Sequence, residues 1–182
     1  MSRIPLVDPA ATTPDRAALL QQIHQAFGAT PAMFRTVAQS PAALQMMWSA
    51  FGALGGGTIP AKLGEQIAVA VADRNACEYC LAAHTALGRK AGASAAEMAA
   101  AQAGESADAK TNAALRFALK LVEQRGQLAD GDVPALRAAG FGDPEIVEIL
   151  AHVALNLFTN YVNVAFAVPV DFPAVALRRA KG

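Results

Sequence analysis

The chain has only two cysteines, Cys77 and Cys80, in the segment Cys77-Glu78-Tyr79-Cys80-Leu81-Ala82-Ala83-His84. A CxxC pair can cycle between dithiol and disulfide, or it can supply part of a metal site. On a helix, residues 77, 80 and 84 stand at i, i+3 and i+7, so their side chains share one face and a base sits one turn from a thiol. Helical Cα atoms three residues apart are separated by roughly 5 Å, inside the range of about 4.4 to 6.8 Å that a disulfide accepts. Asn75 is a suitable N-cap and Glu78 can complete a capping-box-like pair. That start would put Cys77 in the first turn, where free N–H groups and the positive dipole end favour an anion. A lowered thiol pKa is therefore expected at Cys77.

Glu65 precedes Cys77 by twelve residues. On one unbroken helix the two would lie about 18 Å apart along the axis, too far to cooperate. The break Asp73-Arg74-Asn75 lets two helices fold into a hairpin, and an inward Glu65, flanked by Ile67, Ala68 and Val71, then reaches the cysteine helix.

Other chemistries remain open at this point. Zinc could take Cys77, Cys80 and His84 with Glu65 or His152 as fourth donor, although zinc cysteine pairs usually lie on turns and a second ligand pair is missing. Haem attachment needs a histidine where Leu81 stands. A thioredoxin-like site needs a βαβ context that helical periodicity denies. Gly55-Gly56-Gly57 lacks a following Lys-Ser/Thr and a preceding strand, so it is a turn and not a phosphate cradle. His24 falls on the polar side of its helix. His152, in an apolar helix, is either a hydrogen-bonded core or interface histidine or an auxiliary to the site. Asn156, Asn160 and Asn163 fit buried partners at an interface, and Met46-Met47-Trp48 fits the core.

The elements that must hold these residues are helical. A capping residue followed by proline recurs at Thr13-Pro14, Thr30-Pro31, Ser40-Pro41 and Asp143-Pro144, a signature of helix starts. Hydrophobic spacing predicts helices over 14–27, 31–39, 41–54, 61–74, 76–90, a weak surface helix over 94–103, then 108–125, 132–139 and a long helix from 144 that Pro169 ends. The first twelve residues read as an extended arm, and the tail from Asp171 as a last short helix. Nothing divides the 182 residues into two domains.

Composition agrees with an all-α chain: 54% hydrophobic but only 6% aromatic, which suits close-packed helices better than a sheet. Fifteen basic and fifteen acidic residues cancel, leaving no electrostatic footprint for nucleic acid. The stretch from Leu150 to Val168 is interrupted by His152, Asn156, Thr159, Asn160 and Asn163, costly groups in hydrocarbon. It reads as a buried helix and a subunit interface and not as a membrane span. Pro5, Asp8 and Pro9 interrupt any signal-peptide core, so the expected location is the cytoplasm.

Glu65, eleven intervening residues, Cys77-x-x-Cys80 and then His84 together resemble the active-site signature of the alkylhydroperoxidase AhpD-like proteins, part of the carboxymuconolactone decarboxylase superfamily. The resemblance runs from Pro31-Ala32-Met33-Phe34 through the segment Asp132 to Phe141 to Asn156-Leu157-Phe158-Thr159-Asn160, and is greatest to the peroxidase-related branch. It implies an AhpD-like helical bundle that assembles as a homo-oligomer, a trimer or a hexamer. It implies a thiol peroxidase in which Cys80 attacks a hydroperoxide, Cys77 is the resolving and more exposed thiol, and Glu65 and His84 relay protons for Cys80. The implied reductant is a lipoyl-bearing or thioredoxin-like dithiol, with no organic cofactor and no metal. Members without cysteines act as lactone decarboxylases, and retention of both thiols argues against that chemistry. Tyr79 occupies the place of a histidine in the best-known members. It is an auxiliary candidate beside His152, although a phenol, titrating near pH 10, carries protons poorly at neutral pH.

Overall fold

The computed structural model describes residues 2–178. Among them the protein is all-α, with α1 (Pro14–Phe27), α2 (Ala32–Val37), α3 (Pro41–Gly55), α4 (Ala61–Arg74), α5 (Glu78–Lys90), α6 (Ala95–Gln102), α7 (Ala109–Glu123), α8 (Asp132–Ala138) and α9 (Asp143–Ala165). No helix among the described residues is long and apolar enough to cross a membrane.

Helix starts follow local chemistry. Ser40 accepts the Ala43 N–H ahead of Pro41, Asp108 accepts the Thr111 N–H, and Ser94 with Glu97 closes a capping box. These contacts satisfy donors that a helix start otherwise leaves free. The Thr30-Pro31 signal works differently: Thr30 turns to His24, and the first amide of α2, Ala32 N–H, is capped at 2.6 Å by Asp171 from the far end of the chain.

α4 is the central element. Residues Gln66 to Asp73 are all buried, and α5, α6, α7 and α9 pack around it. Ala68, Ala70 and Ala72 alternate with Ile67, Val69 and Val71, and all six are buried, so neighbours cover this part of α4 all round. α6 is a surface helix as its composition suggests: Met98 and Ala101 are buried against the rest of the fold, α4 included, while Ala95, Ala96 and Ala99 are exposed.

The inward face of α9 runs Ile146, Ile149, Val153, Asn156, Asn160, Asn163, all buried, at alternating steps of three and four. One stripe therefore begins apolar and ends in amides. On the opposite side Val147, Leu150, Tyr161 and Val164 are exposed.

The expected last helix is absent over 171–178. Pro169 and Pro173 withhold amide donors, and side chains fasten the segment as an extended strap instead. Asp171 accepts from Ala32 N–H and Tyr79 O–H, Gln102 donates to Ala176 O, and Asp73 accepts the Arg178 N–H. The N-terminal segment is likewise non-helical over 2–12 and pairs Arg3 N–H with Phe166 O and Val7 N–H with Arg35 O.

The turn from α4 to α5 sets the site. Ala76 takes a left-handed φ of 52°, Ala76 N–H bonds Asp73 O at 3.1 Å, and Cys77 N–H bonds Ala72 O at 2.9 Å. This is the Schellman closure, usually built on glycine. An alanine there carries backbone strain of roughly 1 to 2 kcal/mol, while glycine adds about 0.4 to 1 kcal/mol of unfolded-state entropy. Ala76→Gly is therefore expected to raise unfolding stability by about 0.5 kcal/mol, and Ala76→Val to lower it by about 1 kcal/mol or more, as midpoint shifts in chemical denaturation.

Candidate active site

The Ala76 closure ends α4 on Asn75 and makes Cys77 the N-cap of α5. The expected N-cap at Asn75 is thereby displaced by two residues. Asn75 instead donates through Nδ2 to Asn160 Oδ1 at 2.9 Å, tying the turn to α9. Cys77 Sγ accepts the Cys80 N–H at 3.3 Å, so a thiol performs the capping that Ser or Asp usually does.

Both cysteines are free and buried, Cys77 1% and Cys80 2% exposed. The implied greater exposure of Cys77 is not seen within the chain; what differs is the space each sulfur borders. Cys77 lines an outer cavity of about 470 Å³ shared with Arg3 and Glu78. Cys80 and His84 line an inner cavity of about 40 Å³ walled by Phe27, Met33, Phe34 and Phe172.

Two adjacent buried thiols cannot both ionise, because like charges repel in a desolvated site. The charge falls on Cys80. The Cys77 thiol bonded to it, the charge of His84, and the amides of Asn163 and Asn160 outweigh burial and lower Cys80 to about 6. Cys77, bonded to Cys80, buried and facing its charge, is pushed well above the ordinary thiol range. The expectation of a lowered Cys77 is thus reversed, since the helix start is outweighed by the neighbouring thiolate.

α9 supplies the groups that face Cys80. Asn163 Nδ2 donates to Cys80 Sγ at 3.1 Å, and Thr159 Oγ1 lies 4.0 Å from the same sulfur. Asn163 belongs to the sequence stripe read only as interface. Its signal was the replacement of apolar residues by amides along one unbroken 3-4 spacing.

On the other side, Glu65 and His84 meet. The His84 imidazole, through Nδ1, bonds Glu65 Oε2 at 2.7 Å, and the two side chains are 23% and 13% exposed for Glu65 and His84. Gly88, one turn beyond His84, leaves room for Met98 of α6, whose Cε would stand 2.5 Å from a Cβ there, and for Glu65 Cβ at 3.3 Å. Burial disfavours charge on His84, but the Glu65 carboxylate and the Cys80 thiolate outweigh it and raise its pKa above the ordinary value. The arrangement can hold an ionised sulfur beside an imidazolium that has a proton to give.

Tyr79 lies on the cavity wall with its hydroxyl occupied. It donates to Asp171 Oδ2 at 2.7 Å, accepts the Met33 N–H at 3.4 Å, and stands edge-on to Phe172. Burial and the Asp171 carboxylate raise its pKa further, so it anchors the strap and keeps its proton. His152 borders a different cavity together with Glu65 and His84. Among the described residues no three His, Cys, Asp or Glu side chains converge as metal donors. His24 is exposed, beside Thr30.

Residues 41–124 match the Carboxymuconolactone decarboxylase family. The structure is similar to an alkylhydroperoxidase AhpD core, an uncharacterised peroxidase-related protein from Ralstonia eutropha JMP134, with TM-score 0.83 and 26% identity over 93% of this chain and 92% of that one. It is similar to a peroxidase-related protein from Silicibacter sp. TM1040, with TM-score 0.80 and 25% identity over 92% and 91% of the two chains. The debrominase Bmp8 has the same fold, with TM-score 0.74 and 20% identity over 87% of each chain. No functionally curated protein matches the sequence.

A hydrogen bond to a charged group contributes about 1.5 to 3 kcal/mol, and one pKa unit corresponds to about 1.4 kcal/mol. Asn163→Ala is expected to raise the Cys80 pKa by about one to two units, read as a shift of the pH midpoint for alkylation of Cys80 by iodoacetamide.

Proposed function

We propose that this chain, which matches the carboxymuconolactone decarboxylase family over residues 41–124 and is AhpD-like in structure, reduces hydroperoxides through a Cys77/Cys80 dithiol cycle. The observation that carries the reading is Cys80 itself: a buried thiol lowered to about 6, facing His84 and the Asn163 amide.

In the first step the Cys80 thiolate attacks the terminal peroxide oxygen. The O–O bond breaks, Cys80 becomes a sulfenic acid, and the departing alkoxide takes a proton from His84, whose charge Glu65 supports. The Cys77 thiol then condenses with the sulfenic acid, forming the S–S bond and releasing water. An external dithiol, lipoyl-bearing or thioredoxin-like, reduces the disulfide by exchange and is itself oxidised. Retention of a proton on Cys77 suits this order, since the attacking sulfur must be the ionised one.

The likeness to debrominase Bmp8, a variant of which is solved with 2,3,4-tribromopyrrole, raises reductive dehalogenation as a second reading. The size of the space against Cys80 favours peroxide: about 40 Å³ accommodates a few water-sized groups, enough for a peroxide end and too little for a polyhalogenated ring. The cycle needs a reducing compartment, and the reading places the chain in the cytoplasm. It also makes the exposed α9 face of Val147, Leu150, Tyr161 and Val164 the contact of a homo-oligomer, a trimer or a hexamer.

Thiol titration before and after one equivalent of hydroperoxide tests the reading. Both thiols should be lost in the parent, a sulfenic acid should be trapped on Cys80 in Cys77→Ser, and Cys80→Ser should be inert. With a dithiol present, Glu65→Gln should slow turnover at least about tenfold. Thiols that survive peroxide intact would rule out the peroxidase, and a single oxidation without turnover would make the pair a redox sensor.

A further inference from the structure

The Glu65–His84 pair has a second side. A cavity of about 180 Å³ borders both residues but neither cysteine, and its only polar side chains are Glu65, His84, Asn156 and His152. The remaining walls are apolar or glycine, so polar atoms inside it have few partners.

His152 Nε2 is one of these atoms. It is buried and makes no hydrogen bond among the described residues, a state that costs about 1 to 3 kcal/mol and calls for an explanation such as a water. The backbone makes room for the ring. Gly64 lies within α4 directly before Glu65, and a Cβ there would stand 3.2 Å from His152 Cε1. A glycine inside a helix costs about 1 kcal/mol relative to alanine, so two unfavourable features coincide where the imidazole meets the cavity. His152 as a whole is only half-buried, so part of the residue meets solvent while Nε2 does not.

The charged and titratable groups around His152 are few. Glu148 lies one turn before it on α9, held by the Thr58 and Ile59 amides at 2.6 and 3.0 Å. Glu65 faces it from α4 and His84 from α5, while α3 has no charged residue. Burial keeps His152 below the ordinary imidazole value, against the pull of Glu148 and Glu65 and with that of His84. It is neutral at neutral pH, with one nitrogen that accepts and one that donates.

We infer that His152 is a positioning residue for a proton inlet, holding a water in this cavity through which the Glu65–His84 pair exchanges protons with solvent. The inference rests on the peroxidase reading for its use: after His84 gives its proton to the alkoxide, one proton moves from solvent through His152 and the water onto the pair. No electron moves, and only bonds to hydrogen change. The cavity exceeds the space one water needs and offers it polar partners.

The inlet can be tested with and without peroxide. In protein labelled with ¹⁵N-histidine, exchange of the His84 imidazole proton with solvent should slow about tenfold or more in His152→Phe, which fills the cavity and removes the nitrogen. In His152→Ala the rate constant for sub-saturating hydroperoxide should fall by a similar factor and recover with added imidazole. Alkylation of Cys80 by iodoacetamide, whose leaving group needs no proton, should keep its parental rate in both. Unchanged His84 exchange in His152→Phe overturns the inference, as does equal loss of the peroxide and alkylation rates. A parent inert to hydroperoxide overturns the peroxidase reading alone, because the exchange measurement still decides the inlet.

Discussion

Two buried sulfurs sharing one negative charge are the constraint on which the rest of this molecule depends. With Cys77 and Cys80 both almost fully enclosed, desolvation opposes any thiolate, and a second one would face the repulsion of the first. The fold selects which sulfur carries the charge by what it aims at each. Cys80 receives the Asn163 amide, the Cys77 thiol and an imidazolium; Cys77 receives a charged neighbour. The pair is therefore asymmetric, with one charged sulfur and one proton-bearing partner.

Holding that asymmetry requires three helices to come together with little tolerance. The Ala76 turn puts Cys77 outside α5 and leaves Cys80 in its first turn. Glu65 of α4 meets His84 of α5, Gly88 leaves room beside them for Met98 of α6, and the amide end of the α9 stripe closes the site from above Cys80. The strap over 171–178 locks the wall through Tyr79 and Asp171, which also caps α2. Tyr79 is thus part of the architecture of the wall, and the proposed cycle assigns its proton transfers to Glu65 and His84.

Much of this was legible in the sequence. The helix order followed from capping residues and prolines, and the Glu65/Cys77/Cys80/His84 spacing pointed to one site because hairpin geometry leaves it few alternatives. The differences have physical causes that residue type and local spacing do not carry: a backbone conformation, a competing neighbour, or a partner distant in sequence. Asn75 is a good N-cap by type, but an alanine in the left-handed conformation, where glycine is usual, moved the cap to Cys77. The tail reads as a helix until Asp73, Gln102 and Asp171 are found bonding its backbone or its neighbours. The direction of the Cys77 shift was read from the helix start alone, where the bond to Cys80, burial and the Cys80 charge together push it up.

The proposed cycle requires Cys80 to be a thiolate at neutral pH while Cys77 is not. Absorbance of the reduced parent protein at about 240 nm against pH reads this directly. One thiolate should appear with a midpoint near pH 6, and the second should remain absent through neutral pH and beyond the ordinary thiol value of about 8.5. A protein with no thiolate until both appear together near that ordinary value would contradict it.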